Sequence, residues 1–135
     1  MFKTMIVEDS PSFRGLLKDV LKSQFPSMDI IEAGDAVEAF QKIDSNLPNL
    51  VFMDIHLPGG NGLELTRKTK ADYPNTVIII LTNYDLPEYR EAASRNKADY
   101  FVAKHSMVTD GVFKMVKGIL LEKGFNSDGS KANPS

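Results

Sequence analysis

Cysteine is missing from all 135 residues. Its absence excludes disulfides, thiolate metal sites and a cysteine nucleophile, and it is compatible with a reducing compartment. Histidine occurs only twice, which together with the missing thiols makes zinc a poor candidate. Positive charge is not in excess either. Sixteen Lys and Arg against 18 Asp and Glu give a formal charge of −2, so no direct nucleic-acid binding is expected of this chain. No apolar run approaches the roughly 20 residues that a membrane-spanning helix needs. The opening MFKTMIVEDS has too short an apolar core for a signal peptide. The chain is expected to be soluble, free of the membrane and cytoplasmic. An apolar content of 42% and a charged content of 25% are ordinary for one globular domain with a core of its own.

What is present repeats one grammar. Short β-rich runs stand at 4–7, 29–33, 50–53, 77–81 and 100–103. The third (LVFM) and fourth (VIIIL) are apolar without alternation, which suits strands covered on both faces. Helical segments separate them. Phe13, Leu16, Leu17, Val20 and Leu21 fall at i, i+3, i+4, i+7 and i+8, and Val112, Met115, Val116, Ile119 and Leu120 repeat that spacing. The stripe is weaker over 36–45 (Ala36, Ala39, Phe40, Ile43), weaker again over 63–72 and poor over 86–96, where context carries the assignment. Ser10 followed by Pro11 reads as an N-cap and a first-turn proline, and Asp35 caps the second helix in the same way. Pro26, Pro48 and Pro74 each stand between a helix and the next strand. Five βα units imply an α/β fold, a doubly wound five-stranded parallel sheet with helices on both faces. The polar second run suits an edge, and the order 2-1-3-4-5 fits. The domain is expected over 1–124, with 125–135, rich in Gly, Ser and Asn, as a flexible tail or the start of a linker.

In such a sheet all strand C-termini share one rim, where ligands bind. Glu8 and Asp9 stand at that end of strand one, Asp54 of strand three, Thr82 of strand four and Lys104 of strand five. Two carboxylates about 4 Å apart repel by roughly 4 kcal/mol at an effective dielectric near 20, so the cluster raises its own pKa values or recruits cations. Lys104 supplies one positive charge. Mg2+ suits the rest, since it prefers oxygen ligands and binds through one or two carboxylates plus phosphate. A strand-end carboxylate beside a hard cation is a nucleophile towards phosphorus, with Lys104 and the Thr82 hydroxyl placed to meet phosphoryl oxygens. Each residue also has a plainer reading: Asp9 as a cap of helix one, Asp54 as a turn cap, Thr82 as a strand former, Lys104 as a solvated strand end, Phe101 as a core aromatic.

The segments IVEDSPSFRGLL, VFMDIHLPGGNGLEL, VIIILT and ADYFVAK together resemble the response-regulator receiver domain of two-component signalling, the CheY-like fold, over about residues 3–123. The resemblance implies a flavodoxin-like (βα)5 domain that acts as a phosphoacceptor switch and not as a turnover enzyme. It implies Asp54 as phosphoacceptor, and Mg2+ held by Glu8, Asp9, Asp54 and the backbone carbonyl of His56. Thr82 becomes the switch hydroxyl, Lys104 the phosphate-pairing cation and Phe101 the switch aromatic. The implied partner is a sensor histidine kinase or phosphotransfer protein. The output surface is helix four, strand five and helix five, a face through which receivers often form homodimers. His105 departs from the pattern, standing where many members carry a cis proline; a cis non-proline bond costs about 2.5–4 kcal/mol. Asn83 follows Thr82 where small residues are usual, and His56, Asn83 and Tyr84 tune phosphoryl lifetime. GGNG replaces a more usual turn, with Gly62 keeping it.

Other chemistries fit less well. An aspartyl phosphohydrolase of the haloacid type carries DxD after strand one, whereas here Asp54-Ile55-His56 follows strand three. A flavodoxin-like cofactor binder needs a phosphate cradle after strand one, where VEDSPS is acidic. A degenerate receiver that only binds partners stays open through Asn83 and the missing proline. If Asp54 is phosphorylated, Thr82 and Lys104 pull on their loops, and the thinly striped segment 84–96 is the element expected to move.

Overall fold

The computed structural model describes residues 1–106 and 110–132. Strands β1 (Lys3–Val7), β2 (Asp29–Ala33), β3 (Leu50–Asp54), β4 (Val77–Thr82) and β5 (Tyr100–Ala103) alternate with helices α1 (Pro11–Gln24), α2 (Ala36–Asn46), α3 (Gly62–Asp72), α4 (Pro87–Arg95) and α5 (Asp110–Glu122). The five strands form one parallel sheet in the order β2-β1-β3-β4-β5. The reversal of strand order falls between β1 and β3, where a crevice opens beyond their C-terminal ends.

Burial follows from the sheet's two covered faces. All five residues of β3 are buried, and all of β4 except Val77. Leu17 and Leu21 of α1 and Val112, Val116, Ile119 and Leu120 of α5 close one side. Ala39 and Ile43 of α2, Leu65 of α3 and Ala93 of α4 close the other. The helical stripes are narrower than the sequence suggests. Leu16 and Phe40, both counted as core-facing, are about half exposed (53% and 51%), because the neighbouring residues of each turn already fill the contact with the sheet.

The caps form where expected. The Ser10 hydroxyl accepts from the Phe13 amide at 3.3 Å, and the Asp35 carboxylate from the Glu38 amide at 2.8 Å. α4 is the exception. It has no side-chain cap and buries only Ala93, as its poor stripe foretold.

The structure differs from the sequence reading at several points. β3 and β4 run one residue further than their apolar stretches, so Asp54 and Thr82 are the last rungs of the ladder, opposite Leu81 and Ala103. The turn between β3 and α3 holds a small antiparallel ribbon, His56–Leu57 against Gly60–Asn61. The Lys104–His105 bond is trans.

Residues 125–132 of the segment read as a tail turn back onto the α1–β2 connection; 133–135 lie outside the described residues. Phe125 meets Phe2 edge to face at 5.1 Å, and the Ser27 amide donates to the Asp128 carbonyl at 3.0 Å. Gly129 adopts φ +94, and a β-carbon there would lie 2.9 Å from the Met28 nitrogen. Composition did not disclose these contacts, since they depend on which surface the segment meets.

Candidate functional site

The rim of the sheet gathers residues far apart in the chain. Glu8 continues β1, its amide donating to the Ala33 carbonyl at 3.0 Å. Arg14, one turn into α1, donates to the Glu8 carbonyl at 2.6 Å, and its guanidinium also meets Glu32 at 3.3 Å. The acidic turn is thereby fixed from the helix that follows it. Asp54 enters from β3 and Lys104 from the end of β5. The lysine Nζ stands 3.0 Å from Asp54 Oδ2, 3.0 Å from Glu8 Oε1 and 2.9 Å from Glu8 Oε2. Glu8 and Asp54 are buried, and the Lys104 side chain is only 11% exposed. Beneath the ammonium lies the Phe13 ring, 5.2 Å away at its centroid. Such a cation over an aromatic face is electrostatically favourable.

The mixture of charges has consequences. Burial foremost, then the hydrogen bond and like charge of Asp54, push the Glu8 carboxyl from 4.5 up to about 7, against partial relief by Lys104. Burial works against the Lys104 charge, but the two carboxylates outweigh it and hold the ammonium above its ordinary range. One cation does not satisfy this cluster. Glu8 Oε2 is buried and accepts no hydrogen bond, although it lies close to the lysine. Carboxylate oxygens of Glu8, Asp9 and Asp54 all fall within 4.8 Å of one another. An all-oxygen donor set of three carboxylates facing one ammonium, with Glu8 Oε2 lacking an aligned hydrogen bond, fits a hard divalent cation such as Mg2+.

The expected residues do not all stand in one place. Glu8, Asp9, Asp54, His56, Asn83, Tyr84 and Lys104 line one open cleft of about 340 Å3, with Ser10 and Phe13 completing its wall. The Thr82 side chain is buried, and its hydroxyl accepts from the Tyr84 amide at 3.0 Å. Phe101 is half-buried on the α4 side, outside that lining, with the Arg90 guanidinium 4.7 Å above its ring. His56 is met edge-on by Tyr84 and Tyr89, at 5.6 and 5.7 Å.

Three contributors were not legible as site residues. Phe13 counted only as core stripe, and Arg14 lay among the polar residues of its helix. The role of Gly62 differs from the one given by its turn. A β-carbon at that position would sit 1.8 Å from the Asp54 carbonyl oxygen, so Gly62 is required because backbone passes against backbone directly under Asp54. The turn itself needs a positive φ at Gly59, not Gly62.

Similarity to known proteins points the same way. A family model described as the response regulator receiver domain matches residues 4–116. The oxygen regulatory protein NreC of Staphylococcus carnosus is 35% identical over 106 residues, covering 77% of this chain and 48% of that protein. A protein-glutamate methylesterase/protein-glutamine glutaminase of Rhizobium etli is 40% identical over 81 residues, covering 59% of this chain and 23% of its own length. The chain thus spans half or less of these curated relatives. The crystal structure of the response regulator TrrA from Thermotoga maritima, in complex with Mg2+-BeF, superposes with a TM-score of 0.78 at 34% identity, covering 89% of this chain and all (100%) of that one.

Proposed function

This chain belongs to the response regulator receiver domain family, and from that premise we propose that Asp54 receives a phosphoryl group, with Mg2+ held by Glu8, Asp9, Asp54 itself and the backbone carbonyl of His56. Phosphorylation-dependent switching is general for receiver domains of two-component response regulators. The observation that carries the reading is the Lys104 ammonium, 3.0 Å from Asp54 Oδ2. It is a fixed positive charge, from a third strand, where a phosphoryl group on Asp54 would place its oxygens. The relative crystallised with Mg2+-BeF supports the cation at the acidic pocket.

In the step itself, an Asp54 carboxylate oxygen attacks phosphorus. The new P–O bond forms as the donor's P–N bond breaks, for a phosphohistidine, and the leaving imidazole keeps the electron pair. Mg2+, when bound, supplies charge neutralisation on the phosphoryl oxygens. Lys104 transfers its hydrogen bond from the Asp54 carboxylate to a phosphoryl oxygen, and the Thr82 hydroxyl donates to another. Phe13 and the buried strand ends wall the inner side of the cleft. The donor is a sensor histidine kinase or phosphotransfer protein, and the face made by α4, β5 and α5 carries the output. The domain acts as a switch, not a turnover enzyme.

Incubation with acetyl phosphate and Mg2+ tests the reading. Intact mass should show one added phosphoryl group, absent in Asp54→Asn and suppressed by chelation of the metal. No mass gain at any donor concentration would overturn it.

A further inference from the structure

α4 is joined to the body of the domain by very few groups, since it buries only Ala93 and lacks a side-chain cap. Arg90 is one of them, and it touches two other elements. Its Nε and Nη2 donate to both carboxylate oxygens of Asp85, at 2.6 and 3.1 Å, in the β4–α4 connection. Its guanidinium carbon lies 4.7 Å from the centroid of Phe101, on β5. A paired, planar guanidinium over a ring is well suited to hold three segments in register. Thr82, the last residue of β4, leads into the same connection, and its hydroxyl accepts from the Tyr84 amide at 3.0 Å. Thr82, Tyr84, Asp85, Arg90 and Phe101 therefore form one continuous chain of contacts, running from the buried end of β4 to the face of β5.

We propose that Arg90 is a positioning residue, a clasp that holds the β4–α4 connection and Phe101 in the resting arrangement and is released when Thr82 turns towards a group on Asp54. This rests on the reading of Asp54 as phosphoacceptor. To donate to a phosphoryl oxygen, the Thr82 side chain moves towards the cleft and gives up the Tyr84 amide. Asp85, one residue on, is then no longer held where Arg90 can meet it and the Phe101 ring together. The clasp stabilises the resting state alone, so weakening it raises the fraction of molecules competent to bind a phosphoryl group or its mimic.

The test uses Arg90→Ala and Arg90→Lys in the whole chain, each also in a Phe101→Leu background. Alanine is the better helix former, so loosening cannot come from lost helix propensity. In the unliganded protein, Arg90→Ala should speed amide exchange at 84–95 and 100–103 by about three- to tenfold, the range expected for one exposed ion pair and cation–π contact. It should also tighten binding of beryllofluoride with Mg2+ by a similar factor, on the order of three- to tenfold. Arg90→Lys, which keeps charge but loses the fork, should fall between. In the Phe101→Leu background, Arg90→Ala should change exchange at 100–103 by less than about twofold. Unchanged exchange and affinity, or an equal effect with and without the ring, would overturn the clasp. A wild-type protein that binds no beryllofluoride while the exchange effect persists would overturn the Asp54 reading and the link to it. Wild-type binding with unaltered affinity in Arg90→Ala would overturn the link alone.

Discussion

Glu8 shows how much one buried side chain decides. Its carboxyl is pushed up to about 7 by burial and by Asp54, so the folded protein holds this proton more tightly than the unfolded chain does. A carboxyl raised in this way stabilises the fold fully below its unfolded value of 4.5, and that contribution is lost as pH rises through about 7. Metal-free protein should therefore lose thermal stability between those two values, as followed by calorimetry at constant ionic strength. Saturating Mg2+ should flatten the profile, because a cation on the carboxylates removes the reason for the raised pKa. An identical slope in Glu8→Gln would show that the proton resides elsewhere. Gly62 offers a second test. Gly62→Ala forces a methyl group to within 1.8 Å of the Asp54 carbonyl and should cost more than about 2 kcal/mol in urea unfolding. It should also slow phosphorylation, because Asp54 moves with its backbone. Gly118→Ala in α5, with nothing within 4 Å, is the control and should stabilise by about 0.5–1 kcal/mol.

Among the elements, the contrast is between the strands that place the site and the helix that stands ready to move. β3 and β4 are buried along nearly their whole length, so Asp54 and Thr82 are presented from strands packed on both faces. α4, with Ala93 as its only buried residue, is tethered by side chains at its edges: Tyr89 against His56 on one side, Arg90 over Phe101 on the other. This division suits a switch, since a weakly docked element moves at low cost while the reacting atoms stay fixed. The thin stripe over 86–96 made that difference visible in the sequence. The clasp was not visible there, because Asp85, Arg90 and Phe101 have no periodic relation and meet only once β5 lies beside β4.

At the scale of the whole molecule, residues 124–132 belong to the folded body. Phe125 closes on Phe2, and Gly129 passes against Met28 at the end of the sheet opposite the acidic cleft. Phe125→Ala should lower stability by about 2 kcal/mol, and Gly129→Val should destabilise through its positive φ. Both should leave the extent of phosphorylation unchanged, with urea unfolding and intact mass as the measurements. Unaltered unfolding midpoints would mean that the segment adds nothing to the fold.

The sequence by itself determined the five βα units, the polar edge at β2, the caps at Ser10 and Asp35, and the strand ends that carry Glu8, Asp54, Thr82 and Lys104. These follow from local periodicity, from proline and cap chemistry, and from the rule that parallel strands end on one side. Only the tertiary structure decided the rest. It set Lys104 between Glu8 and Asp54, passed Gly62 under Asp54 and laid Phe125 on Phe2. Those are contacts between segments as many as 123 residues apart. Their distances depend on how the sheet twists and how the helices settle on it, and no local pattern encodes that.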